Sequence, residues 1–480
     1  RFQGRHGGLQ GKARAGIQGT LTVRNTLFQR TEREENMSRE TNRAGGSHWR
    51  NHYQSRMVSP EEVAAKVSSG DRIYVATSHE SAPLMASLLG RADELSDVEI
   101  RSLGGLWTDY GFQNGTWAHV FRANMSFGTP ASRSAIAEGI TNFTVVGFGD
   151  AFRHLNQGRA GSEPFDHCWF TVTPPNEAGY CCVGAELWDL RIGMKHSKIN
   201  VAAVNDHLPR TFGDTWIHVS EIDYFIEDHE PFLPRGRHKT TDATIAIAKH
   251  VSGLVRDRDT LQIGTGSTSG SLAQLGTFDN KQDLGYFAEM SVAGLIDLVE
   301  NGVITSKYAT VRPNKFVTTG LTGGLDEYNY VNNNPFFEFY DYDYMLNPAV
   351  ICQNENMVSI NNGLSIDLRG QINLVSMGPT IWSGSGGQLS YHTGAYLSRG
   401  GRAITVLPST AAKGTISRIV PEFPAGQVVT IPWDLADTVV TEFGVAELLG
   451  KTMRQRAEAL IEVAHPDHRP ELRQAAAKLL

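Results

Sequence analysis

The chain has 480 residues, 40% of them hydrophobic and 20% charged, with a net charge of -7 at pH 7. That length exceeds one typical domain, so two or three domains are expected, each with a core of its own. The charge gives no case for nucleic acid, no apolar run is long enough to span a bilayer, and the four cysteines form no disulfide framework: Cys181 and Cys182 are adjacent and none has C-x-x-C spacing, which fits a reducing, cytoplasmic compartment.

Residues 1–56 carry eleven Arg and Lys against four Asp and Glu, several glycines and few apolar residues. Such a stretch cannot bury enough apolar surface to order itself, so a disordered basic extension is expected. It reads either as an Arg-rich transit peptide or as an extension ahead of a start at Met37 or Met57. Glu32, Glu34 and Glu35 count against the transit peptide.

From Met57 strand-like and helix-like segments alternate. Asp71 to Ser78, Val98 to Leu103, Phe143 to Phe148 and Lys198 to Val204 read as strands, and Pro83 to Leu95 as a helix. Residues 230–240, with Pro231, Pro234 and Gly236, suit a linker. The pattern then restarts. Thr241 or Asp242 can cap a helix whose Ile247, Val251, Leu254 and Val255 share a face, and Leu261 to Gly264 is the following strand. Two α/β domains with mainly parallel sheets result, at 57–229 and 241–480.

Four segments can carry chemistry. The first, Ile263 to Gly270 (IGTGSTSG), lies between a strand and an expected helix, where Gly264 and Gly266 would let backbone N–H groups approach an anion. Its spacing is not that of a dinucleotide fingerprint, and a plain tight turn fits it as well. In the second, Gly285 to Ser306, Glu289 closes an apolar strand ahead of a helix that ends near Gly302. A carboxylate there suits a cleft at the top of a sheet, or else a capping or ion-paired acid. The third, Trp382 to Gly401, runs through Gly386, Gly387 and Gln388 into a helix and offers N–H donors to an oxyanion, or is a surface loop. The fourth, Leu407 to Pro421, holds Lys413 and Arg418, which can bind phosphate or stay solvated.

In order along the chain, VTPPNEAGYCCVG (172–184), VNDHLPRTFGDTWIHVSEIDYFIE (204–227), NNNPFFEFY, QNENMVSIN (353–361), PSTAAKGTISRIVP, VVTEFGVAELLGK and ALIEVAHPDHR together resemble the acetyl-CoA hydrolase/transferase family, which includes 4-hydroxybutyrate, acetate and itaconate CoA-transferases. The resemblance runs from about Val58 to Leu472. It implies two CoA-transferase-type α/β domains with the active site in the cleft between them, and a catalytic role for Glu289. It implies coenzyme A as the substrate thioester, no metal, and oxyanion or CoA contacts from Gly264, Gly266, Gly386, Gly387, Gln388 and Lys413. The partners it implies are an acyl-CoA and a small mono- or dicarboxylic acid, in a homodimer or larger homo-oligomer. The activity it implies is CoA transfer, with acyl-CoA hydrolysis on the same fold as the alternative.

The chain departs from the family pattern at three places. Phe287 and Ala288 stand where relatives have His with Thr or Ser before the glutamate. Val375, Ser376, Met377 and Gly378 replace Glu-Ser-Ile-Gly. Ser390, Tyr391, His392 and Thr393 replace Asp-Phe-Ile-Arg. An acid and a base are lost together, as expected of a former pair. The less acidic pocket would repel a second carboxylate less, which admits a dicarboxylic acid such as itaconate or succinate.

Overall fold

The computed structural model describes residues 48–147, 153–158, 163–231 and 238–479. Among these, two large sheets account for the core. Seven parallel strands make the first, in the spatial order Tyr224–Glu227, Ser197–Val204, Phe165–Val172, Arg72–Val75, Val98–Ser102, Phe121–Met125 and Asn142–Phe143. Its central strands are buried on both faces, as a covered parallel sheet requires: every residue of Val98–Ser102 is buried, Glu99 and Arg101 included. The strands expected at 71–78 and 98–103 are present but shorter, that at 198–204 is one residue longer, that at 143–148 is reduced to Asn142–Phe143 with Phe148 outside the described residues, and the helix expected over Pro83 to Leu95 is Ala82–Leu89, ended at Gly90.

The second sheet has nine strands and takes the second half of the chain. Thr260–Ile263 lies near its middle, between Met357–Asn362 and Gly285–Phe287. Phe316–Thr318 and Phe337–Phe339 continue it on one side, and Arg402–Val406, Thr438–Thr441 and Gly444–Glu447 on the other. Only the last pair among these strands is antiparallel. Thr241 caps the helix Asp242–Leu254 by accepting from the N–H of Thr244, as its sequence suggests.

The ninth strand comes from elsewhere. Phe212–Gly213, a two-residue piece of the first half, pairs in parallel with Phe337–Phe339 at the edge of the second sheet. Further backbone bonds tie the halves: Leu187 N–H to Thr319 O at 2.8 Å and Leu321 N–H to Ala185 O at 3.0 Å. The two α/β units are therefore joined through their sheets as well as by the linker, of which residues 232–237 lie outside the described residues.

The boundary at Met57 needs correction. Residues 1–47 lie outside the described part, but His48–Arg56 is a helix. It buries no whole residue, yet Trp49 and Tyr53 pack against the main core cluster. The Tyr53 ring meets Phe225 edge-on at 4.8 Å, and His52 Nε2 lies 3.1 Å from Ile222 O. Two rings on a polar helix suffice to dock it, although no apolar stripe announces it.

Candidate active site

A cavity of about 1000 Å³ opens between the halves. Its walls come from the first unit through Thr77, Gly104, Trp107, Phe127, Arg133 and Trp188. The second unit supplies the loop after Thr260–Ile263, the turn at Glu289, the end of Met357–Asn362 and the glycine run before Gln388. Chain-distant loops meet there because both sheets are mainly parallel and deliver their strand ends to one side.

Glu289 lies two residues beyond the strand Gly285–Phe287, not within it. Its carbonyl accepts from the N–H groups of Thr319 at 3.1 Å and Gly320 at 3.2 Å, and Tyr286 Oη donates to Met290 O at 2.6 Å. The turn is thus pinned from both sides, which leaves the side chain little choice of direction. Glu289 is half-buried, on the wall of the cavity. Burial pushes its carboxyl up to about 7, while a hydrogen bond from the backbone N–H of Gly387 pulls the other way. The buried phenols of Tyr342 and Tyr391 stand near enough to feel its charge, and both are pushed well above the usual range by burial first and Glu289 next. No ion pair holds Glu289 among the described residues, so the alternative of a structural salt bridge falls away. What remains is a carboxylate kept basic at the edge of a cleft, the condition for a nucleophile or a general base at neutral pH.

The third segment comes to the same point. A β-carbon added to Gly387 would approach Glu289 Oε2 and Leu346 Cδ2 closer than 3.0 Å, so only glycine brings this peptide onto the carboxylate. Gly386 and Gln388 also line the cavity, and the helix Gln388–Leu397 begins where the sequence places it. The side-chain amide of Gln388 is committed inward, its Nε2 3.4 Å from His392 Nε2.

Gly264 and Gly266 reach the cavity too. The expected α-helix after them is absent: the chain makes short 3₁₀ turns at Ser269–Ser271 and Ala273–Leu275. The loop instead lies against Asn361 and Asn362. Ser269 N–H donates to Asn362 Oδ1 at 2.8 Å, and a β-carbon on Gly266 would strike the Asn362 amide.

Lys413 does not join them. It is exposed on a 3₁₀ turn in a left-handed conformation (φ 58°) and lines no part of the cavity. Arg418, five residues on, does line it, with Arg133 and His238 as the other basic groups there among the described residues. Arg133 is engaged across the halves: its guanidinium lies 3.8 Å from the centre of the Trp382 ring and its Nε donates to Trp382 O at 2.6 Å. Sequence reasoning missed Arg133, Trp188 and Tyr342 in this wall, and took Trp382 only as the start of the glycine segment. None carries a local pattern, and only the tertiary fold brings them together.

Two α/β units thus flank a cleft that holds a pinned glutamate whose carboxyl burial raises to about 7. Residues 36–234 match the acetyl-CoA hydrolase/transferase N-terminal domain and residues 323–476 the C-terminal domain. The chain is 38% identical over 425 residues to the 4-hydroxybutyrate coenzyme A transferase of Clostridium kluyveri, covering 88% of this chain and 98% of that protein. It is 36% identical to the succinyl-CoA:cyclohexane-1-carboxylate CoA transferase of Geobacter metallireducens, covering 89% and 96%. The structure of RipA from Yersinia pestis superposes with a TM-score of 0.83 at 31% identity, over 90% of this chain and 99% of that one. The chain belongs to the acetyl-CoA hydrolase/transferase family. Two halves with mainly parallel sheets, as expected from the sequence, are the fold of these relatives.

Proposed function

We propose that this acyl-CoA:carboxylate CoA-transferase moves CoA between an acyl-CoA and a small mono- or dicarboxylic acid through covalent intermediates on Glu289. The Glu289 carboxylate attacks the acyl carbonyl, giving a mixed glutamyl anhydride and CoA thiolate. The thiolate attacks the glutamyl carbonyl, releasing the donor's acid and leaving a glutamyl-CoA thioester. The acceptor carboxylate attacks that thioester, and the freed thiolate takes the new acyl group, restoring Glu289. No proton or electron is gained or lost over the cycle.

The observation that carries this reading is the close approach of the Gly387 peptide to the Glu289 carboxylate at the wall of the cavity. Each step passes through a tetrahedral oxyanion, and peptide donors beside the reacting carboxyl suit that charge. Coenzyme A enters as substrate. Arg418, rather than the outlying Lys413, is the basic side chain proposed to meet its phosphates, with the loop at Gly264 and Gly266 beside it.

The test is incubation with an acyl-CoA and no acceptor. CoA should become attached at Glu289, and borohydride should then reduce the thioester and inactivate the enzyme. Peptide mapping that puts the label on a cysteine, or nowhere, would sink the mechanism. Donor and acceptor should give parallel double-reciprocal lines. Turnover indifferent to added carboxylate would mark an acyl-CoA hydrolase instead.

A further inference from the structure

The first unit gives the cavity a single charge. Its share of the wall is Thr77, Gly104, Trp107, Phe127, Arg133 and Trp188, rings and small residues around one guanidinium. Among the described residues, Glu289 is the only acid in the whole wall. Arg133 is half-buried, with its guanidinium 3.8 Å from the centre of the Trp382 ring. A guanidinium has five N–H donors. Arg133 spends Nε on Trp382 O at 2.6 Å, and among the described residues no carboxylate pairs with it and no acceptor meets its Nη groups. Burial holds its pKa below the ordinary arginine value, and no acid raises it. The ring and the Nε bond fix one face and one edge of the guanidinium. What is left is the Nη fork, which matches a carboxylate.

Arg133 and Glu289 meet the cavity at the two ends of one segment. Residues 382–387 begin at the Trp382 that carries Arg133 and end at the Gly387 that lies on Glu289. The segment is held against the first unit on the way: a β-carbon on Gly384 would approach Ser126 O and Phe127 closer than 3.0 Å. Neither charge shifts the protonation of the other. The two therefore stand apart, with the cavity between them.

We propose that Arg133 selects dicarboxylic acids: its Nη fork takes the distal carboxylate of the acid whose other carboxyl exchanges CoA at Glu289. This rests on the CoA-transferase reading above. A short dicarboxylic acid has the required form, one anionic group for each end and an apolar body between them, beside the rings of the first unit. The phosphates of CoA are the other oxyanions in the reaction, and a different place suits them. Phosphate is served by clustered peptide N–H groups together with a cation, as at Gly264, Gly266 and Arg418 on the second unit, whereas Arg133 stands alone among rings. Arg133 is thereby a specificity-determining residue and takes no part in bond making.

The experiment supplies acetyl-CoA as donor and compares acceptors that differ only in the distal group: succinate with its monoamide, and glutarate with its monoamide. Wild type should favour the diacid of at least one pair by about tenfold or more in kcat/KM, the worth of a hydrogen bond to a charged group. Arg133→Leu should bring that ratio within about twofold. Arg133→Lys, which keeps the charge without the fork, should leave it in between. A general disturbance of the fold would lower diacid and monoamide together and keep the ratio. No preference in either wild-type pair overturns the proposal, as does a ratio that survives in Arg133→Leu. A phosphate contact would show instead as a KM raised by Arg133→Leu for acetyl-CoA but not for acetyl-pantetheine, with the acceptor ratio unchanged, and that too overturns it. If Arg133→Leu does not fold, the wild-type and Arg133→Lys ratios decide. CoA attachment at Glu289 is read separately: label without a diacid preference removes only this contact, and a preference without label removes the covalent mechanism and leaves the contact standing.

Discussion

Gly387 and Glu289 meet closely: the peptide of one lies against the carboxylate of the other, and the space between them does not admit a methyl group. Gly387→Ala must push either the carboxylate or Leu346 aside. The expected outcome is a folded protein, unchanged in far-UV circular dichroism, with kcat reduced by about 10²–10³, the usual cost of one lost oxyanion donor. Activity within threefold of wild type would show that this peptide is not a donor to the reacting centre.

The raised carboxyl of Glu289 sets the pH profile. Attack needs the carboxylate, and with protonation near 7 the charged fraction falls about tenfold for each pH unit below that. The expected kcat/KM profile has an acid limb bending near pH 7. A limb bending near 4.5, the ordinary value, would mean that the cavity does not desolvate this group.

The same shift acts on stability, in the opposite sense to an ion-paired acid. The folded state holds the Glu289 proton more tightly than the unfolded state, so folding is penalised as pH rises from about 4.5 through 7. The penalty reaches at most about 3 kcal/mol above pH 7. Glu289→Gln removes the charge and should raise Tm relative to wild type at pH 8, with the gap closing below pH 4.5, while transferase turnover is lost. Calorimetry at the two pH values checks both halves.

The contact between Arg133 and Trp382 spans the cleft. Trp382→Ala should cost about 0.5–1 kcal/mol of stability, as exposed cation–π pairs do. It should also raise KM for the acyl-CoA more than it changes kcat, because this pair belongs to the wall and not to the reacting carboxyl. A selective loss of kcat in steady-state assays would contradict that placement.

Removing residues 1–56 should lower Tm more than removing residues 1–47, because only the longer deletion strips Trp49 and Tyr53 from the core cluster; equal midpoints in calorimetry would show that the two rings contribute nothing. Trp49→Ala, which empties the space over Gly179 and His218, should cost about 1–3 kcal/mol in chemical denaturation.

The α/β plan was legible because buried parallel strands carry short apolar runs: Lys198 to Val204 reads as a strand, and Ser197–Val204 is one, buried from Asn200 to Val204. Glu289 was legible as a carboxylate where an apolar strand ends, and Gly386 to Gln388 as a loop ahead of a helix. The helix His48–Arg56 was not, since its polar face hides two docking rings. Lys413 misled because charge in sequence says nothing of direction, and Arg418 close by is the side chain turned inward. Phe212–Gly213 is too short for any periodicity, so its transfer to the far sheet follows only from the tertiary structure. His392 looked like a loss from the family pattern. Its hydrogen-bond partners sit on two separate strands and on its own helix, at Ser359, Thr405 and Gln388, which no local reading assembles.

That short strand has a consequence for synthesis. During synthesis the first half emerges before the strand Phe337–Phe339 exists, so Phe212–Gly213 waits unpaired. The first sheet holds only its own strands, so what waits for the carboxy-terminal half is this one pairing and the cleft, whose walls need both halves.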